Sequence, residues 1–183
     1  MRAGTIFRRF QARDGREVTF RAPQWSDLDD MLEFINSLVD ESAPILKNTK
    51  MTRAGEIDWL ARYLSKLEKG KIVGIVAEVD GRFVGHVAVG PKMERSNHVG
   101  VLGISLKDGY RDAGIGTEMM NEVEAQARGI GLEVVTLETF ATNKRAIHVY
   151  EKVGFTVVGR IPKGARMLDG FVDVLIMAKE ISP

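Results

Sequence analysis

The 183-residue chain contains no cysteine, which excludes disulfides, thiolate metal sites and cysteine nucleophiles. Neither sign of charge dominates: Lys plus Arg number 26 and Asp plus Glu 25, so nothing in the overall charge calls for a nucleic-acid or membrane-surface partner. No apolar run approaches the ~18 residues that suggest a membrane span. Internal repeats, low-complexity tracts and linkers are also missing. What is left is a chain long enough for one well-cored domain over residues 1–183, expected in the cytoplasm. Arginines recur from Arg2 to Arg21, as in a targeting peptide, but Asp14 and Glu17 interrupt them. The segment reads better as a hairpin. Thr5–Ala12 and Glu17–Arg21 alternate around Asp14-Gly15, a type I′ turn signal, so residues 1–16 extend the chain's start and pair with its first strand.

Two helices are expected next. Ser26 is placed to cap the first, in which Leu28, Met31, Leu32, Ile35 and Leu38 recur at helical spacing. Ile57, Leu60, Ala61, Leu64 and Leu67 mark the second, closed by Gly70; Trp59 and Tyr63 ride on it as core or as part of a substrate groove. The period then changes. Ile72–Val79 and Arg82–Val89 flank Asp80-Gly81 as a hairpin, and Val99–Leu106 is a third strand. A helix to Arg128 follows, then a strand over Leu132–Phe140 and a short helix from Lys144 to Val153, capped by Asn143 and stopped by Gly154. Phe155–Ile161 and Phe171–Ala178 are the last strands, with Pro162–Gly170 as the loop between them. The order predicts a single α+β domain with a mixed sheet.

The junction Arg111-Asp-Ala-Gly-Ile-Gly116 lies where a strand hands over to a helix. Helix-start N–H groups lack intrahelical partners, the helix dipole adds positive character, and glycines admit a ligand close to the backbone. Such a junction suits a phosphate. Gly109 and Gly114 have the spacing of a nucleotide-binding P-loop, but Ile115-Gly116 stands where Lys-Ser/Thr is needed. A dinucleotide fingerprint would need glycine at Met119 and a βαβ context. Arg111, Gly114 and Gly116 fit the third pattern, Arg/Gln-x-x-Gly-x-Gly/Ala; a tight structural turn is the rival reading.

Downstream, Asn143, Ala146, Tyr150, Glu151, Lys152, Gly154 and Phe155 fall on an N-x-x-A-x-x-x-Y-E-K-x-G-F signature. The two motifs together, in this order, resemble the GCN5-related N-acetyltransferase (GNAT) superfamily. The likeness is strongest over Val99–Ile161 and includes the apolar run Val172–Met177. Here Asp108-Gly109 stands near where many relatives have proline. The resemblance implies a mixed, mostly antiparallel central sheet with about four flanking helices and a splayed cofactor cleft. It implies acetyl-CoA as cosubstrate: the pyrophosphate on the backbone of Asp112, Ala113, Gly114, Ile115, Gly116 and Thr117 beside Arg111, the pantetheine arm along Ile104, Ser105 and Leu106, and Asn143 within reach.

In the family pattern Tyr150 is the general acid for the leaving thiolate; otherwise it is a core tyrosine. Glu138 interrupts an apolar strand twelve residues earlier, where partial burial would suit a general base; otherwise it pairs with Lys144 or Arg145. That spacing occurs in relatives that acetylate protein N-termini, whereas the chain's ending resembles relatives that act on small amines. His86, His98 and His148 are not spaced as metal ligands, so no metal is expected. Without cysteine or a Ser–His pair, the expected reaction is direct attack of a primary amine on the thioester. The acceptor is expected to be a peptide N-terminus or a small amine, shaped by Asp27–Leu67 and Pro162–Gly170. The alternative is a non-catalytic acyl-CoA-binding module on the same fold. An edge at the last strands is compatible with a homodimer.

Overall fold

The computed structural model describes residues 1–181. Its elements are β1 (Ile6–Gln11), β2 (Glu17–Arg21), α1 (Leu28–Asp40), α2 (Arg53–Glu68), β3 (Val73–Val79), β4 (Arg82–Pro91), β5 (Val99–Leu106), α3 (Ile115–Gly129), β6 (Val134–Phe140), α4 (Lys144–Lys152), β7 (Thr156–Met167) and β8 (Gly170–Glu180). The strands form one sheet in the order β1-β2-β3-β4-β5-β6-β8-β7. Every neighbouring pair is antiparallel except β5–β6. Alternation on β3 explains the two-sided core. Val73, Ile75 and Ala77 join the cluster that holds α3 and α4, while Val76 faces the cluster of α1 and α2.

The two Asp-Gly turns close differently. Asp80 and Gly81 both have positive φ, +49° and +75°, as the expected type I′ turn requires. At the first hairpin only Gly15 does, at +84°. There Gly15 N–H donates to the Ala12 carbonyl and Ala12 N–H to that of Arg16, both at 2.9 Å, giving a three-residue loop in place of type I′. Asp14 explains the change, since its carboxylate accepts from the Arg16 backbone at 3.3 Å and from its guanidinium at 2.8 Å.

Three helix and loop expectations are corrected. Ser26 caps nothing; a short 3₁₀ turn, Trp25–Asp27, leads into α1, and Asp27 accepts from Gln24 N–H at 2.9 Å. Phe34 and Tyr63 take core positions assigned to Leu32 and Ala61, because the buried stripes run through Leu28, Met31, Phe34, Leu38 and through Leu60, Tyr63, Leu67. The span Pro162–Gly170 is mostly strand, and pairing of β7 with β8 continues to Met167↔Gly170 across an irregularity between Ile161 and Ala165. Asp173 stitches that irregularity, accepting from Lys163 N–H at 2.8 Å and Arg160 Nε at 2.6 Å.

One buried ion cluster ties the α1 approach to the sheet. Arg21, 7% exposed, donates to both Asp27 oxygens at 2.7 Å and to Glu78 at 2.6 Å and 2.8 Å. Burial alone would lower the Arg21 pKa, but the bonds to Asp27 and Glu78 outweigh it and hold it above its usual value.

Candidate active site

The parallel strands β5 and β6 pair only at Val99–Val134, Gly100–Val135 and Val101–Thr136. Beyond these they part, and a cleft of about 860 Å3 opens between their C-terminal ends. Separated strand edges leave backbone N–H and C=O groups able to bond a ligand's amides. α3 starts at the cleft, with Gly114 as its N-cap at φ +84° and no side-chain cap on the first-turn N–H groups. The preceding loop turns through Gly109 (+79°) and Asp112 (+66°). Gly116 has a different reason to be glycine. A Cβ there would meet only Leu106 Cδ1, at 3.4 Å, so the helix start stays bare towards the cleft.

The fold brings most of the expected residues together. Ile104, Ser105, Leu106, Arg111, Asp112, Gly114, Gly116, Thr117, Asn143, Glu138 and Tyr150 all line the cleft. Ala113 and Ile115 do not; their side chains join the core, leaving their backbone as the only part able to meet a ligand. Asn143 accepts from Ala146 N–H at 3.3 Å, so it does cap α4. Pro162–Gly170, expected as a loop, is carried on as a hairpin by β7 and β8 and does not line this cleft.

Arg111 is not a free cation. Its Nε donates to the Leu106 carbonyl at 3.0 Å, and its other nitrogens face Glu41 and Asp108. A different arginine reaches the loop. The β1–β2 turn lies on it: Arg13 N–H donates to the Ala113 carbonyl at 3.1 Å, Arg16 to that of Gly109 at 3.2 Å, and the Arg16 guanidinium sits 4.6 Å above the Tyr110 ring. The Arg13 side chain crosses Gly114, where an added Cβ would come within 3.1 Å of its Nε, and it lines the cleft. Nothing local in the sequence signals this, since 100 residues separate Arg13 from Ala113.

Tyr150 is 8% exposed, and burial pushes its hydroxyl up to about 12. Its ring packs in the core, 6.3 Å from that of Phe155, while the residue borders the cleft. Glu138 is exposed, not partly buried as its apolar strand suggested, because β6 borders open cleft there. Among the described residues it makes no ion pair; Arg145 bonds Asp112 instead, at 2.6 Å. No group of three or more His, Cys, Asp or Glu able to hold a metal occurs among the described residues, and no helix among them is long and apolar enough to cross a membrane.

His86, on β4, lines the same cleft, and Tyr63 lies 2.9 Å from its Nε2. Burial lowers the His86 pKa to about 4, partly offset by Asp27. Below pH ~6.5 an unfolded chain binds a proton that the folded one refuses, so this contribution to stability is complete above pH ~6.5 and is lost as pH falls towards the folded value. Lowering the pH through that window should cost about 3 kcal/mol. Urea unfolding at pH 7 and 4.5 checks this: His86→Asn should lose less stability between the two than the wild type does.

Comparison with known proteins agrees with the architecture. Residues 32–155 match the Acetyltransferase (GNAT) family. The L-amino acid N-acetyltransferase AaaT of Escherichia coli (strain K12) is 31% identical over 107 residues, 57% of this chain and 66% of that protein, just under two thirds of its length. An N-alpha-acetyltransferase of Sulfurisphaera tokodaii is 25% identical over 160 residues, 81% of this chain and 86% of that one. Among solved structures, yncA of Salmonella typhimurium, a putative acetyltransferase with its cofactor acetyl-CoA, superposes with a TM-score of 0.81 at 18% identity, covering 90% of this chain and 94% of that one. The splayed mixed sheet over a glycine-led helix start is the GNAT architecture. The chain belongs to the GNAT acetyltransferase family.

Proposed function

We propose that the protein transfers an acetyl group from acetyl-CoA to a primary amine. The observation that carries this is that the open α3 start, the parted strand edges, Tyr150 and Glu138 share the wall of one cleft. The residues present fit the cosubstrate. The uncapped first turn of α3 suits a pyrophosphate, and the β5 end suits the amides of a pantetheine arm. Acetyl-CoA supplies the thioester carbonyl that an amine attacks.

Glu138 takes the proton of the acceptor's ammonium, directly or through water. This matters because a lysine-type amine, with pKa about 10.4, is almost wholly charged at neutral pH, and an α-amine, near 7.7–8.0, partly so. As the C–N bond forms and the C–S bond breaks, Tyr150 donates a hydrogen bond from its hydroxyl to the departing sulfur, and the nitrogen's second proton, lost as the adduct collapses to the amide, neutralises that thiolate. Asn143 both caps α4 and offers its amide to the cosubstrate's arm. The acceptor lies on the α1–α2 side, where Phe34, Ile35, Leu38 and Ile45 make the wall apolar. The named activities of the E. coli and Sulfurisphaera relatives support an α-amine as the acetylated group.

Release of free thiol from acetyl-CoA over a panel of L-amino acids, peptides with free N-termini, Nα-blocked lysine peptides and polyamines tests the reading. Turnover of at least one acceptor is expected. Tight acetyl-CoA binding with no turnover across the panel would move the chain to the acyl-CoA-binding alternative.

Arg13 should assist the phosphates. Arg13→Ala is expected to raise the KM for acetyl-CoA about tenfold with kcat little changed, the scale of one charge-assisted hydrogen bond. An unchanged KM at low salt would remove Arg13 from the site.

A further inference from the structure

We infer that His86, fixed by Tyr63, is a neutral N–H donor that binds the oxygen beside the acceptor's amine, so the acceptor is an α-aminoacyl compound and not a plain amine. This rests on the acetyltransfer reading and narrows it.

The bonding count fixes the ring. Tyr63 is 8% exposed, stacks on Trp59 with centroids 4.7 Å apart at 17°, and lies against bare backbone at Gly74, where a Cβ would stand 1.9 Å from its hydroxyl oxygen. Among the described residues His86 Nε2 is the only side-chain or backbone partner of that hydroxyl, at 2.9 Å. If Nε2 carried the ring proton, the phenol proton would have no acceptor, a loss that buried donors rarely bear. The phenol therefore donates, Nε2 accepts, and the ring proton sits on Nδ1. Burial keeps the ring neutral, with its pKa lowered to about 4. Among the described residues Nδ1 has no protein partner, and no buried side-chain nitrogen or oxygen is left unbonded. Nδ1–H consequently meets the cleft that His86 lines.

Position gives the donor its use. His86 pairs across the sheet with Ser105, at the end of β5 where the thioester arm is proposed to run. Phe34, Ile35, Leu38 and Ala88 give the same cleft apolar surface. A neutral donor in such a setting binds a carbonyl or carboxylate oxygen, and it offers an ammonium nothing. Glu138, across the cleft mouth on β6, suits the amine. An amine with an oxygen two bonds from its α-carbon satisfies both groups; a polyamine satisfies one. A free amino acid and the first residue of a peptide share that chemistry.

Two measurements test it. The first is 15N NMR of the histidine-labelled 183-residue chain, which has three histidines, with His86 assigned by its loss in His86→Asn. The expected spectrum is a neutral Nδ1–H ring unchanged between pH 7.5 and about 5.5, given an ordinary histidine midpoint near 6.5. In Tyr63→Phe the Nε2–H form should appear. A wild-type Nε2–H ring, or a midpoint near the ordinary value, overturns the assignment whatever the enzyme does.

The second compares L-methionine, L-methionine amide, a Met-initiated tripeptide and the decarboxylated amine 3-(methylthio)propylamine as acceptors. The wild type should prefer at least one oxygen-bearing acceptor to the decarboxylated amine by about tenfold or more in kcat/KM. The arm that responds identifies free amino acid or peptide as the source. His86→Leu should shrink the preference through acceptor KM, costing the oxygen-bearing acceptors more than the decarboxylated amine, and His86→Asn should restore part of it. If His86→Leu melts below assay temperature, Tyr63→Phe takes its place and should narrow the preference. Equal use of L-methionine, its derivatives and the decarboxylated amine by the wild type overturns the proposal, as does an equal loss on every arm. If no amine is turned over, the acetyltransfer reading falls and the acceptor role with it, while the NMR result still judges the ring.

Discussion

Tyr150→Phe is expected to lower kcat by about 10²–10³-fold while leaving acetyl-CoA affinity within a few-fold of wild type, as for loss of one preorganised donor at a developing anion. The ring of Tyr150 packs in the core with Ile147 and Phe155, so removing only the hydroxyl keeps the packing and the cleft wall. What goes is the donor proposed to face the sulfur. Burial pushes that hydroxyl up to about 12. A thiol has an ordinary pKa of about 8.5, so outright proton transfer from the phenol to a free thiolate would be uphill. In the proposed reaction Tyr150 therefore serves as a hydrogen-bond donor whose bond strengthens as charge gathers on sulfur. The raised pKa also fixes the shape of the rate profile: since the hydroxyl stays protonated, Tyr150 should cause no fall in kcat on the alkaline side up to pH ~11. Steady-state kinetics with calorimetric binding of CoA separate the two effects. A kcat within threefold of wild type would mean that water serves the leaving group.

Arg21→Met should cost about 3–5 kcal/mol of folding free energy, the usual scale for breaking a buried ion pair by removing one partner. The guanidinium is bonded to Asp27, itself 2% exposed, and to Glu78. Methionine fills similar volume, so little of the effect is cavity; it comes from two carboxylates left facing each other without a cation. Asp27→Leu added to Arg21→Met should therefore recover a large part of the loss, because replacing both charges with apolar groups is often near neutral. Urea unfolding of the two variants checks this. Equal destabilisation in both would show that Asp27 acts mainly through its bond to Gln24 N–H, not through its charge.

The parts of the fold legible in the sequence are those set by local chemistry. Asp80-Gly81 closes the expected two-residue turn, and Asn143 caps α4. Val99–Leu106 is strand over the expected residues because its composition leaves few alternatives. The misreadings have local rivals. Asp14 finds Arg16 two residues away and changes the turn; Phe34 and Tyr63 take core positions because they lie in phase with Leu28, Met31 and Leu38 and with Leu60 and Leu67, whereas Leu32 and Ala61 fall off those faces. In Pro162–Gly170 the turn-forming composition suggested a loop, but Asp173 on the partner strand holds it in pairing. The cleft residues were legible where two motifs bracket them. Arg13 and the Tyr63–His86 pair were not, because their meaning lies in contacts across 100 and 23 residues that no periodicity records.

The position of β8 between β6 and β7 bears on how the chain is made. Synthesis runs from β1 onward, so β6 and α4, which carry Glu138 and Tyr150, emerge before the strand that borders them. Until Gly170–Glu180 leaves the ribosome, β6 has three register pairs to β5 and an open flank, and β7 has no neighbour at all. A nascent chain halted at residue 169 would hold both chemical groups without the strand that braces their wall. The wall that carries Glu138 and Tyr150 is therefore complete only once β8 has joined both β6 and β7.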